Sequence, residues 1–204
     1  MWILFAFGSA LFAGLTSILA KCGIKNTDSN AATAIRTIIV LIFSWIMVFL
    51  VGAQHSIGNV SVKTWTFLIL SGLATGASWL CYFRALQIGD VDKVVPVDKS
   101  SAILSILLAF IFLHESISPL KLLCVVLIGV GTYLMITKKG TSSENSGKKG
   151  WRWFFYALGS AVFASLTSIL GKVGIENIDS NLGTAIRTIV VLIMAWIVVF
   201  VTKK

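Results

Sequence analysis

The chain has 204 residues, 57% hydrophobic and only 12% charged, with Lys plus Arg exceeding Asp plus Glu by 17 to 8. A soluble domain is about 45–50% apolar and about 25% charged, so the composition all but excludes a water-soluble enzyme, and such hydrophobicity excludes a disordered chain. The formal charge of +9 would point to nucleic acid in a soluble protein. In a chain this apolar it reports membrane orientation instead, and no nucleic-acid partner is expected.

Seven stretches are long and apolar enough for the roughly 20 residues that a bilayer-spanning helix needs. In chain order they are Trp2–Ala20, Ala31–Val51, Trp65–Ile88, Val94–Leu113, Leu120–Thr137, Trp153–Gly171 and Asn181–Val201. Each is read as a helix, because backbone in lipid is satisfied only by helices or closed barrels. Barrel strands would alternate apolar and polar residues over about 10 positions, and nothing here does. Only two prolines occur, which suits long uninterrupted helices. Polar turns separate the spans, and Trp2, Trp65, Trp151 and Trp153 sit at span edges, where amphipathic rings prefer the interface. Trp2–Ala20 lacks the basic start of a cleaved signal and recurs at Trp153, so it is expected to be a permanent helix. Residues 138–152, KKGTSSENSGKKGWR, form a flexible, solvated linker.

The most informative feature is a repeat. Residues 2–49 align without gaps to 153–200, with 32 of 48 positions identical. Five spans, an odd number, make up the first unit, so the second copy enters the membrane from the opposite side. The two copies are then related by inverted topology, an arrangement that transporters use to build a substrate site at the repeat interface. If the N-terminus lies on one face, Lys63, Lys121, Lys172 and Arg187 share that face, and the other 13 Lys and Arg lie opposite. Basic residues stay cytoplasmic. The linker and C-terminus are therefore expected in the cytoplasm and the N-terminus outside, in the plasma (inner) membrane.

Charged residues inside a membrane are costly, and are functional candidates for that reason. A second helix beginning after Arg36 would keep only 15 residues to Val51, about 22 Å against a core of about 30 Å. Arg36 therefore falls inside. The same arithmetic draws in Asp98 and Lys99 ahead of Leu113, and Arg84 ends the third span on the same side. Arg36, Arg84 and Lys99 are expected to converge there with Asp98 as the one carboxylate, a vestibule favouring substrates that carry a carboxylate or phosphate. Snorkelling to headgroups would account equally for Arg36 and Arg84. Asp98, two residues past Pro96, would suit a helical first turn, whereas Lys99 there would need a partner or ligand.

Arg187 is the repeat counterpart of Arg36 on the other face, a candidate for a second gate. Glu115, at the far end of the fourth span, is a candidate for coupling. Trp79, Tyr82 and Phe83 share one face of the third span, beside a Gly72/Gly76 pair that permits close helix approach. Ser9, Thr16 and Ser17 recur as Ser160, Thr167 and Ser168, and are expected to bond their own backbone one turn back. Cys22, Cys81 and Cys124 are isolated, His55 and His114 have no ligand set, and no phosphate loop or nucleophile motif occurs. No catalytic residue, metal or cofactor is expected.

The run ALQIGDVDKVVPVDKSSAILSILLAFIFLHESISPLKLLCVVLIGVGTYLMI resembles the end of an EamA-type unit of the drug/metabolite transporter superfamily. The matching elements are the RAL…GD exit of the third span, Pro96 opening the fourth, the LHE end of that span, and Gly129 and Gly131 in the fifth. The resemblance covers residues 2–138 as one five-helix unit, joined by linker 139–152 to residues 153–201 as the first two helices of a second. It implies an all-α polytopic bundle that transports a small metabolite, often outward, by alternating access. Since three helices of the second unit are absent, pairing with a second copy or with another five-helix unit is expected. Arg36, Trp79, Tyr82, Asp98 and Lys99 are the expected cavity lining. A non-transporting membrane subunit or a truncated relic is the alternative. A membrane-embedded enzyme would require a carboxylate cluster or catalytic His that the spans do not offer.

Overall fold

A computed structural model describes residues 2–24, 27–114, 118–137, 151–176 and 178–202. Their secondary structure is helical, with no strand among the described residues. The helices are α1 (Trp2–Gly23), α2 (Ser29–Val51), α3 (Val62–Ile88), α4 (Val91–Lys99), α5 (Ser101–Leu113), α6 (Pro119–Thr137), α7 (Arg152–Ile175) and α8 (Ser180–Thr202), with a 3-10 turn over Ala53–Asn59. Seven stretches of these residues are long and apolar enough to cross a bilayer, α4 and α5 together forming the fourth, Val91–Leu113. The chain is an integral, multi-pass helical membrane protein.

Local chemistry sets the ends. Asp28 caps α2 by accepting the Asn30 N–H at 2.9 Å, and its repeat counterpart Asp179 accepts the Asn181 N–H at 2.8 Å. Each satisfies a donor that a helix start leaves without a partner. Ser61 caps α3 through the Thr64 N–H at 3.2 Å. Gly52 stops α2 at φ 74°, the left-handed conformation in which glycine carries no Cβ penalty.

The fourth span differs from its expected start at Val94, and Pro96 does not open it. The helix begins at the Gly89–Asp90 turn, where Asp90 O accepts from Lys93 N at 3.1 Å and Val94 N at 2.9 Å. Pro96 lies inside α4, which gives way at Ser100 to α5. Ser100 N donates to Pro96 O at 3.0 Å and its Oγ to Val97 O at 2.6 Å. Asp98 and Lys99 thus occupy the last turn of a short helix, not a first turn. There the Lys99 cation suits the local dipole and needs no ligand on that ground.

Helix α3 is the hub. Against it α7 runs antiparallel, with contacts in reversed order: Leu68 with Gly174, Ser71 Oγ to Thr167 O at 3.1 Å, and Ser78 Oγ to Ser160 O at 3.1 Å. Helix α8 runs parallel to α3, with Val190 against Gly72 and Met194 against Gly76. A Cβ on Gly72 would stand 2.7 Å from Val190 Cβ and 2.9 Å from Arg187 O, so the glycine pair admits α8 at backbone distance. At the end of α2, Val48 clusters with Leu182 and Ile186 at the start of α8. The counterparts α2 and α8 therefore run in opposite directions. The same holds for α1, which follows α3 in parallel through Ser17 with Tyr82 and Lys21 with Gly89, against antiparallel α7.

Candidate functional site: a membrane-embedded cavity

Arg36, Trp79, Tyr82, Asp98 and Lys99, spread over 64 positions of the chain, surround one cavity of about 200 Å³. Each reaches it from well inside its span. Arg36 stands seven residues past Ser29, the first residue of α2, about 10 Å along the axis. Asp98 is seven residues past Val91, about 10 Å as well. Trp79 lies nine residues before Ile88, about 13 Å in. The cavity thus lies about two to three turns in from the helix ends at which α1 and α3 finish. Ala13 and Ala164 also line it. They are repeat counterparts, so the cavity lies where the two copies meet.

The Arg36 guanidinium is held by rings. Its Cζ is 4.5 Å from the Trp79 ring centroid and 5.5 Å from that of Phe83, both within cation–π range. Neither ion pair among the described residues includes it. Phe83 itself is buried in the core cluster, which makes it the fixed wall behind the cation.

Asp98 is 6% exposed. The Ser160 hydroxyl on α7 donates to its Oδ1 at 2.5 Å, and Lys99 Nζ lies 3.2 Å from its Oδ2. Ser78 Oγ is 3.2 Å from Ser160 Oγ. The carboxylate is therefore built into the joint between α3, α4 and α7. The Lys99 side chain is 60% exposed and sits 5.9 Å from the Tyr82 ring. Tyr82 OH donates to Ser17 Oγ at 2.8 Å, which fixes the ring against α1. Two cations and one hydrogen-bonded carboxylate leave the cavity with an excess positive charge.

The expected three-cation vestibule is corrected. Arg84 lines a separate crevice of about 450 Å³ with Asp28, Asn30, Tyr156 and Thr202, and donates to Gln87 Oε1 at 2.5 Å. Two residues past Tyr82, it points to the other side of α3, because i and i+2 do not share a helix face. Arg187 lines neither space; its Nη1 stands 3.2 Å from where a Cβ on Gly171 would be. Glu115 lies outside the described residues.

Sequence reasoning missed Ser78 and misjudged Ser160. Thr16 does bond its own backbone, donating to Phe12 O at 2.7 Å, and Ser17 to Ala13 O at 2.8 Å. In the second copy the hydroxyls of Ser160 and Thr167 reach across to neighbouring helices. A lone intramembrane carboxylate needs a partner, and that need was the one signal that a serine on another helix would be drawn to it.

The EamA-like transporter family matches residues 1–137. The chain belongs to that family. A relative from Sinorhizobium sp., named an uncharacterized transporter in the cobO 3′ region, is 41% identical over 134 residues, which cover 66% of this chain and 95% of the relative. That relative is accordingly about as long as one five-helix EamA unit. No solved structure matches the chain. Family and helices together make it a membrane transporter and point away from an enzyme.

Proposed function

We propose that this EamA transporter moves a small metabolite bearing a carboxylate or phosphate, outward from the cytoplasm, by alternating access around the cavity of Arg36, Trp79, Tyr82, Asp98 and Lys99. The observation that carries the proposal is the pairing of Arg36, without a carboxylate partner among the described ion pairs, with the exposed Lys99 ammonium across one intramembrane space. A guanidinium stacked on rings keeps its N–H donors free for a planar anion. The about 200 Å³ available is below the roughly 300–1,000 Å³ of drug-sized pockets, which fits a compact head group.

The working unit in this proposal includes a partner. On α7 the stripe Ser160, Thr167 and Gly174 receives α3. Its counterparts on α1, Ser9, Thr16 and Gly23, are exposed. They await the equivalent of α3, a third span from a second copy or from another five-helix unit. Residues 2–138 and 153–201 act as the two units, in the inner membrane, with the linker and C-terminus cytoplasmic and the N-terminus outside.

Untargeted metabolite profiling tests the transport proposal. Cells expressing the wild-type chain should lose one or more anionic metabolites to the medium, and cells expressing an Arg36→Ala, Lys99→Ala variant at equal level should retain them. Identical profiles would refute it and favour a non-transporting subunit. Bulk on the α1 stripe, as in Ser9→Phe, should reduce the assembled mass in native membranes without lowering the amount of chain. Unchanged mass would refute the partner.

A further inference from the structure

A second space touches the charged cavity. It has a volume of about 480 Å³ and runs between α1, α4 and α6, past Gly14, Ile18, Val95, Ile128, Gly131 and Met135. Ser17 and Lys99 line both spaces, so the two adjoin at these residues. Apart from that junction the groove wall is apolar, with Thr132 Oγ1 turned to Pro96 O at 3.5 Å and Asp92 at the outer rim. Two of its residues are glycines with open space beside them: no heavy atom lies within 4 Å of a Cβ placed on Gly14 or on Gly131.

We propose that the transported anion is amphipathic: its carboxylate or phosphate sits between Arg36 and Lys99, and an apolar chain or ring attached to it lies in the groove between α1, α4 and α6. This rests on the anion site proposed above and names its substrate class. The charge asymmetry carries the assignment. Cations stand at one edge of the groove, and the rest of it is lined by aliphatic side chains and bare backbone. A purely polar metabolite would leave the larger volume unused, and a purely apolar one would leave Arg36 without a counter-ion. Occupation by the tail of the anion, and not by a membrane acyl chain, is inferred from the shared Lys99: what fills the groove has a cation of the anion cavity at its edge.

The probe is the series of straight-chain carboxylates from acetate to octanoate, titrated calorimetrically against the full chain in nanodiscs, with empty nanodiscs subtracted. Each methylene entering the groove should tighten binding about fourfold until the groove is full. Gly131→Leu places a side chain in the open groove and should weaken octanoate at least tenfold more than acetate. Gly14→Leu, from the opposite wall, should do the same, which keeps the test standing if one variant folds poorly. Affinity independent of chain length in the wild type would overturn the inference. So would a groove variant that weakens acetate and octanoate equally, or one whose sole effect is loss of a co-purifying phospholipid. Failure of the anion site is separate: Arg36→Ala with Lys99→Ala would then leave every member of the series unchanged.

Discussion

Gly72→Ala isolates what the contact between α3 and α8 contributes. The new Cβ would lie 2.7 Å from Val190 Cβ and 2.9 Å from the Arg187 carbonyl oxygen, where carbon atoms normally settle at about 3.5–4.0 Å. Both obstacles are backbone or the first side-chain atom of a β-branched residue, so neither can swing aside. The helices must part by about 1 Å. Overpacking of this kind costs about 1–3 kcal/mol, and replacing glycine within a helix returns up to about 1 kcal/mol. The net expectation is a loss of about 1–2 kcal/mol. Gly76→Ala meets only the Met194 thioether, at 2.8 Å from Sδ, and a flexible methionine can move; it should be close to neutral. Gly8→Ala, with nothing within 4 Å, is the control. Unfolding of the purified chain in mixed micelles with rising SDS, followed by tryptophan fluorescence, ranks the three. If Gly72→Ala proves as stable as Gly8→Ala, the backbone contact between α3 and α8 does not exist.

Ser160→Ala removes the donor to Asp98 Oδ1; hydrogen bonds between membrane helices average about 0.6 kcal/mol and reach about 1.7, so micelle unfolding should show a loss in that range, with reduced efflux because Asp98 and Lys99 are held from the same joint. Arg36→Lys keeps the charge but gives up the planar stack on Trp79 and the bidentate fork, and should lower anion efflux severalfold at unchanged expression; full efflux would mean that charge alone suffices. Reporter fusions after residue 145 and at residue 204 should both read cytoplasmic, and a periplasmic signal from either would invert the orientation.

Membrane class, helix number and the duplicated pair were legible along the chain because each depends on local composition or on self-comparison. Helix length draws Arg36, Asp98 and Lys99 into the spans, and spacing puts Trp79 and Tyr82 on one face; in the structure all five line a single cavity. Arg84 was misplaced because depth says nothing of azimuth, and the face opposite Tyr82 opens onto other helices. Pro96 suggested a helix start, yet the turn at Gly89–Asp90 starts α4 first and the bilayer tolerates the proline within it. For Ser160 the sequence favours a local bond, because hydroxyls in a span meet their own carbonyls unless a stronger acceptor comes within reach.

Hydrophobic length and odd parity, both one-dimensional quantities, are sufficient to expect seven crossings and an inverted later pair. Which helices touch is a matter of rotation about each axis, and that is settled by close-packed neighbours: glycines on α3 admitting α8, and Ser160 on α7 meeting α3 and Asp98. The cavity and its apolar extension exist only as the space those contacts leave, so no stretch of residues read in order could have drawn their outline.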